Sequence, residues 1–496
     1  MVGLNDDDDD DDYQYPSAND LNVWNGAALL CADCLGTGLL ALPHDITVVL
    51  GSRFGLFFLI LQLPINLYAG SILSDAALFV ETNQQSATTN TDVNVIHEGR
   101  RLLSAGTDKD RIRHDAVTKK QYHAGKIDEQ HEADDNSLVD HGHDHDTTAT
   151  FDFIGMTAAL FDSKTATRWA VTVYYTNIFL VLGNYIVVMS HAVTALIGED
   201  VICIPTAGIL ASTLMFAVCQ MKTMARLGRS ASAISLTALG IVVAQCLYFS
   251  NHSESAHDDG QLESENDDMD SGFSLNNLLR QFSAMGSIGF AVGSQKLFLN
   301  IRHEFADRKK APQSLAVALA AFGSFYVGIV LAAGPKPPGF LFDAIPSHTF
   351  QRRIAGLFLW VHVVVSYAIN SQAICSSMDR VFFHRLLQGW GDNKRWMLLT
   401  GMMAATAFFV ANAIPFFKDL VAFIGSLTSV PLTLLLPAVF YRRVQSVHIW
   451  CPTTKSLASY SLLAFSSAFM VTATLGSIYT ILTDWENHTG GFFSCH

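Results

Sequence analysis

Apolar stretches of about twenty residues recur along the chain and are parted by short polar segments. Eleven can be read: 22–50, 54–79, 168–197, 200–220, 231–250, 277–301, 313–333, 354–378, 396–415, 417–441 and 455–482. As a helix, each is long enough to span about 30 Å of hydrocarbon. The pattern predicts an all-α, multi-pass membrane protein with about eleven transmembrane helices. Two polar interruptions are long, 81–167 and 251–276. The chain therefore divides into an acidic tail (1–21), a membrane domain (22–482) that carries both insertions, and a short C-terminal tail (483–496).

Two of the stretches contain helix breakers at their centres. The first reads "CLGTGLLALPHD" (34–45) and the sixth "FSAMGSIGFAVGSQKLFLNI" (282–301), with Gly286, Gly289 and Gly293 crowded together. Gly and Pro weaken a helix through backbone entropy and a missing N–H donor. In hydrocarbon, an interrupted helix is tolerated where it lies inside protein or lines a cavity. The two stretches open two sets of five, 1–5 and 6–10, and an odd number of spans per set inverts the second set. Paired interruptions of that kind point to a transporter's midplane site. Unwinding would free N–H groups for a substrate carboxylate, helped by the half-helix dipole. Freed carbonyls would face an ammonium or a metal cation. A zwitterionic amino acid fits both ends. The competing reading is that these small residues let helices pack closely.

Composition agrees with a membrane body. Half of the residues are hydrophobic and 15% are charged, against about 25% charged in soluble domains. The net charge of −14 is local to two segments: residues 1–21 and 251–271 hold eight acidic residues each and no Lys or Arg, which leaves the rest at +2. Nothing in this balance suggests a nucleic-acid partner. The opening "NDDDDDDDY" reads as a solvated, disordered tail, and no cationic segment precedes a short apolar core as in a cleaved signal peptide.

With a cytoplasmic N-terminus, 24 Lys and Arg fall on inner loops and six on outer ones. Discounting the ten in and beside the long 81–167 loop leaves a bias of 14 to six. The sequons at Asn251 and Asn487 then both face outward, as can Cys203 and Cys495, which leaves a disulfide between them open. Cys31 and Cys34 make a CxxC inside an apolar helix and read as small buried residues. In the long loop, "DHGHDHD" (140–146) offers imidazoles and carboxylates to a divalent ion, or is simply polar low-complexity sequence. That loop is also a candidate docking segment for a signalling partner.

These segments resemble the amino acid/auxin permease family. "GTGLLALP" is similar to its first-helix signature. "FSAMGSIGFAVGSQKLFLNIRHEF" is similar to its sixth helix, with Phe290, Ala291, Gln295, Leu299 and Ile301 at the family spacing. "HVVVSYAINSQAICSSMDRVFFHRL", from His362, resembles the eighth helix of plant-type lysine/histidine permeases, and "IPFFKDLVAFIGSLTSVPLTLLLPAVFY" the ninth-to-tenth segment. The resemblance implies a LeuT-like fold, two inverted five-helix repeats plus one helix. It implies secondary transport of amino acids by alternating access, driven by a proton or sodium gradient. Gly36, Thr37 and Gly38 would hold the substrate carboxylate, and Phe290, Ala291 and Gly293 would line the facing break. Ala32 stands where sodium-coupled members place Asn, although Asn370 and Ser371 offer oxygens. His44 stands where an aromatic residue is usual, and the 81–167 insertion is longer than the family connection.

Asp33 and Lys296 fall at similar depth, about one turn below the two breaks. Intramembrane ionisable residues face a partner or a cavity. A pair between them, with Asp33 carrying a transported proton, is one reading; a purely structural pair, or a Lys296 that snorkels to the inner surface, are the others. His362 is a further proton carrier or a core histidine. Three functions compete: a proton-coupled or sodium-coupled amino acid symporter, an amino acid sensor using the same pocket, and a divalent-metal transporter. The breaks offer mainly backbone, which argues against metal cargo. No spaced nucleophile, base and oxyanion set suggests an enzyme, and no bound cofactor is expected. The bilayer is the surrounding medium, the plasma membrane or an endomembrane such as the vacuolar one.

Overall fold

The computed structural model describes residues 21–114, 153–161, 163–220, 228–253, 274–379, 383, 386–387, 389–447 and 453–487. Among them the secondary structure is helical, and the only β pairing is an isolated bridge between Leu21 and Phe305. In chain order the helices are α1 (Val23–Cys34), the three-residue turn α2 (Leu42–His44), α3 (Ser52–His114), α4 (Phe153–Leu160), α5 (Lys164–Ile197), α6 (Ile204–Cys219) and α7 (Gly228–Ser253). After the second insertion come α8 (Leu275–Val292), α9 (Gln295–His303), α10 (Ala311–Ala332), α11 (Phe350–Met378) and α12 (Asp392–Ala413). The last are α13 (Phe417–Ile424), α14 (Leu436–Val447) and α15 (Thr453–Asn487).

Eight helical segments among the described residues are long and apolar enough to cross a membrane. The other three of the eleven predicted stretches are not single long helices. The first (22–50) is split between α1, a 3-10 turn, α2 and a π-helical turn; the sixth (277–301) is split between α8 and α9; the fourth is filled by the 16-residue α6. Interruption explains two of the three shortfalls. The tenth stretch is continuous but carries two π-helical turns, Gly425–Ser429 and Pro431–Leu435, between α13 and α14. The chain is a multi-pass integral membrane protein.

The chain forms two units, residues 1–76 with 151–496, and residues 77–150. In the first, α11 packs on α5 and α7, α12 on α5, α15 and α13 on α8, and α1 on α10. Hydroxyl and amide side chains fix the ends. Asn22 caps α1 by accepting from the Asn25 N–H at 2.9 Å, and Thr349 caps α11 by accepting from the Arg352 N–H at 3.2 Å. α5 stops at Gly198, whose φ of 126° disfavours side-chain-bearing residues. In the second unit α3 continues as a helix to His114: no Gly or Pro occurs between residues 71 and 98, and the helix then runs on through Gly99 and Gly106. The first part of the 81–167 insertion is thus helical, as is α4 near its end. The "DHGHDHD" run, the acidic tail and most of 251–276 lie outside the described residues.

Small residues set one helix crossing. A Cβ at Gly425 would overlap the Gly286 carbonyl oxygen, and one at Gly286 would come within 2.6 Å of the Ala422 carbonyl. Gly286 and Gly289 are therefore packing glycines inside an unbroken α8. The sequence reading placed them in the break; the interruption itself begins at Gly293.

Candidate functional site at two helix breaks

α1 ends at Cys34, and Leu35 and Gly36 leave the helical region before a 3-10 turn over Thr37–Leu40. The N–H groups of Thr37 and Gly38 open that turn and have no partner within it. The second break lies at Gly293 and Ser294, between α8 and α9. Its C-cap, Gly293, has φ −74° and ψ 74°, ending the helix with an N–H bond to the Phe290 carbonyl.

The two breaks meet. A Cβ on Gly38 would lie 2.6 Å from Phe290 Cδ1 and 3.9 Å from Ala291 Cα. The backbone of the first break thus rests against the side chain and main chain of the second. Further along, Leu21 donates its N–H to the Glu304 carbonyl at 3.3 Å, and Gly26 sits under the Phe305 ring. The N-terminal half of the first interrupted helix and the C-terminal half of the second are joined there.

Tyr326 of α10 bridges the breaks. Its buried hydroxyl donates to the Cys34 carbonyl at 2.6 Å and lies 3.2 Å from the Ala291 carbonyl. The Cys34 carbonyl also accepts from the Gly36 N–H at 2.8 Å, so Tyr326 is its second donor; a dry carbonyl with no donor at all costs about 1–3 kcal/mol. Asn184 of α5, fully buried, donates to Thr37 Oγ1 at 2.8 Å, while its own Oδ1 has no partner. Ser294 Oγ is likewise buried and without a partner. Just beyond the second break, Gln295 donates to the Asn66 carbonyl at 2.7 Å and Asn66 to the Gln62 carbonyl at 2.9 Å. Side-chain donors and acceptors thus stand beside the backbone groups that the interruptions free.

The other predicted residues divide. Lys296 places Nζ 5.5 Å from the Phe290 ring centroid, at the break. Asp33 lies on the last turn of α1, and its side chain is outside the described part of the structure. His362 is buried on α11 with Nδ1 2.8 Å from Ser235 Oγ of α7, a link between two helices. Asn370 bonds its own helix, donating to the Ser366 carbonyl at 2.9 Å, and Ser371 lies beside Cys219 and Cys375. The structure brings Gly36, Thr37, Gly38, Phe290, Ala291, Gly293 and Lys296 together; the partners of His362, Asn370 and Ser371 named above are other residues.

Sequence reasoning passed over Tyr326 and Asn184, because a tyrosine or asparagine in an apolar span has no spacing signal tying it to a distant break. It also passed over Asp45 and Asp419, each inside a predicted span and each buried. Their charge alone was a usable signal.

Residues 140–482 match the family described as transmembrane amino acid transporter protein. The chain belongs to that family. The matched range takes in the second break and starts after the first. Among curated proteins, the chain is 27% identical over 173 residues to the amino acid transporter AVT1E of Arabidopsis thaliana, covering 32% of this chain and 31% of that one. It is 23% identical over 232 residues to amino acid permease 2 of the same plant, covering 41% and 47%. A third similarity, 22% over 164 residues, is to amino acid transporter AVT1D, also of Arabidopsis thaliana, covering 32% and 29%. The chain spans about a third to a half of the length of the curated relatives it matches. The family and these relatives are transporters, not enzymes.

Proposed function

We propose that this protein is a secondary active amino acid transporter, and that it binds its substrate between the two helix breaks. The observation that carries this reading is the contact of Gly38 with Phe290 and Ala291, which sets two interrupted backbones face to face. The N–H groups of Thr37 and Gly38 would take the substrate carboxylate at the start of a half-helix. Carbonyls at the ends of α1 and α8 would take the ammonium, with Phe290 flanking the side chain. Membership of a family of amino acid transporters and the names of the relatives support the substrate class.

The eight long helices, together with the three interrupted or short segments, are consistent with eleven crossings in a LeuT-like arrangement working by alternating access. Proton symport is the coupling we favour, with Asp33 and Lys296 as the coupling pair; a sodium site using Asn370 and Ser371 is the alternative. Cys203 is disulfide-bonded, which suits an oxidising, non-cytoplasmic side and so a cytoplasmic N-terminus; Cys495 lies outside the described residues. The plasma membrane is the proposed location.

The test is uptake of labelled L-amino acids by the purified full-length chain in proteoliposomes, at two external pH values, with and without sodium. Saturable uptake that rises with an inward proton gradient supports the reading. Uptake that follows sodium alone overturns proton coupling, and binding without flux would make the protein a sensor.

A further inference from the structure

Asp45 follows the first break by two turns and opens the π-helical turn Asp45–Val49. π-Turns inside helices recur at functional positions. The residue is 4% exposed, and its Oδ2 has no hydrogen-bond partner. That turn packs on α8, whose Ser287 faces the carboxyl. The charged or titratable groups that face it are His44, its neighbour in α2, and Lys418 at the start of α13. Neither forms an ion pair with it: His44 Nδ1 lies 3.0 Å from the Pro337 carbonyl, and Lys418 Nζ lies 3.6 Å from Asp484. α8 contributes no acidic or basic side chain to this contact, its nearest in sequence being the exposed Arg280.

An ionised carboxylate that is buried, unpaired and short of a hydrogen bond is strongly disfavoured. The neutral acid is not, since protonation of Oδ2 removes the charge. We infer that Asp45 is a proton-binding site, and that the segment after the first break packs against α8 only with a proton on this carboxyl. When the segment moves away from α8 and water reaches Asp45, the proton leaves Oδ2 for water and the carboxylate is solvated. Closure takes the proton back from the solution on that side. The inference rests on the transporter reading for its consequence, because the segment carries the N–H groups of Thr37 and Gly38. The proton site itself stands independently. It also differs in place from Asp33, which precedes the break in the sequence.

Two measurements on the full-length chain in lipid bilayers separate the two ideas. Infrared difference spectra between wild type and Asp45→Asn at neutral pH read the carbonyl stretch of a protonated carboxyl directly. We expect a band that the substitution removes and that Asp45→Glu shifts, so a poorly folded D45N still leaves a test. Equal spectra for all three proteins overturn the proton site. The second measurement is uptake of a mixture of labelled L-amino acids against external pH. The wild type should lose uptake by up to about tenfold per pH unit once the carboxyl ionises, and D45N should fall clearly less steeply over the same range, keeping only the slope that Asp33 contributes. A D45N profile as steep as wild type overturns the inference. A lost infrared band with no uptake by the wild type keeps the proton site and refutes the transporter reading.

Discussion

Removing one oxygen atom, by Tyr326→Phe, tests how the breaks are held. The ring stays and packs as before against Phe322, whose centroid is 5.5 Å away. What disappears is the donor to the Cys34 and Ala291 carbonyls, in a site with no exposed surface at Tyr326. The Cys34 carbonyl keeps the Gly36 N–H as a donor at 2.8 Å, so the loss falls on the Ala291 carbonyl, and a buried acceptor deprived of its donor costs about 1–3 kcal/mol. At the unfolding entropy typical per residue, that cost lowers the thermal midpoint of a chain this long by about 1–3 °C. If the whole cost falls on the closed arrangement of the breaks, uptake drops by about 5- to 150-fold. The structure supplies a control of the opposite sign. Tyr367 is equally buried, but its hydroxyl has no partner, so Tyr367→Phe removes an unsatisfied group and should leave the midpoint unchanged or raise it. Both variants are measured by thermal unfolding in detergent and by proteoliposome uptake. If the two substitutions behave alike, the bridging role of Tyr326 is refuted.

Other substitutions probe separate parts of the account. Gly425→Ala sets a methyl group on the Gly286 carbonyl and should destabilise the crossing by about 1–3 kcal/mol, read as a lower thermal midpoint; an unchanged midpoint contradicts the packing role. Arg352 pairs with Glu199 at 2.7 Å and Asp343 at 3.2 Å; since those carboxylates keep partial exposure, Arg352→Ala should cost about 1–2 kcal/mol rather than the full cost of breaking a buried pair. The same thermal assay checks it, and Arg352→Lys should recover only part because Arg352 also donates to the Ile345 carbonyl. Asp33→Asn should abolish the dependence of uptake on an imposed proton gradient while amino acid binding persists; uptake that keeps its full dependence removes Asp33 from the coupling role.

The membrane class and the positions of both breaks were legible in the sequence because Gly-rich interruptions stand out against runs of apolar residues. Their depth of detail was not. Gly286, Gly289 and Gly293 look alike in one dimension, yet two serve a helix crossing with the 417–447 segment and the third ends a helix. That distinction depends on which neighbour approaches, which only the packed structure supplies. The eighth span illustrates the same limit: resemblance and side-chain chemistry singled out His362, Asn370 and Ser371, but their partners are Ser235 of α7, the Ser366 carbonyl of α11 itself, and Cys219 and Cys375. Tyr326 and Asn184 were hidden for the converse reason, since their partners are 292 and 147 residues away. Charge in a span was legible and underused, as Asp45 and Asp419 show.

The most direct measurement is equilibrium binding of labelled L-amino acids to the purified full-length protein, wild type against Gly38→Val. The side chain of valine would enter the space held by the Phe290 ring, where even a Cβ approaches to 2.6 Å. Saturable binding of at least one amino acid to the wild type, weakened by more than about tenfold in a helical, monodisperse G38V, is the predicted result. Equal affinity in the two proteins would place the substrate somewhere other than between the breaks.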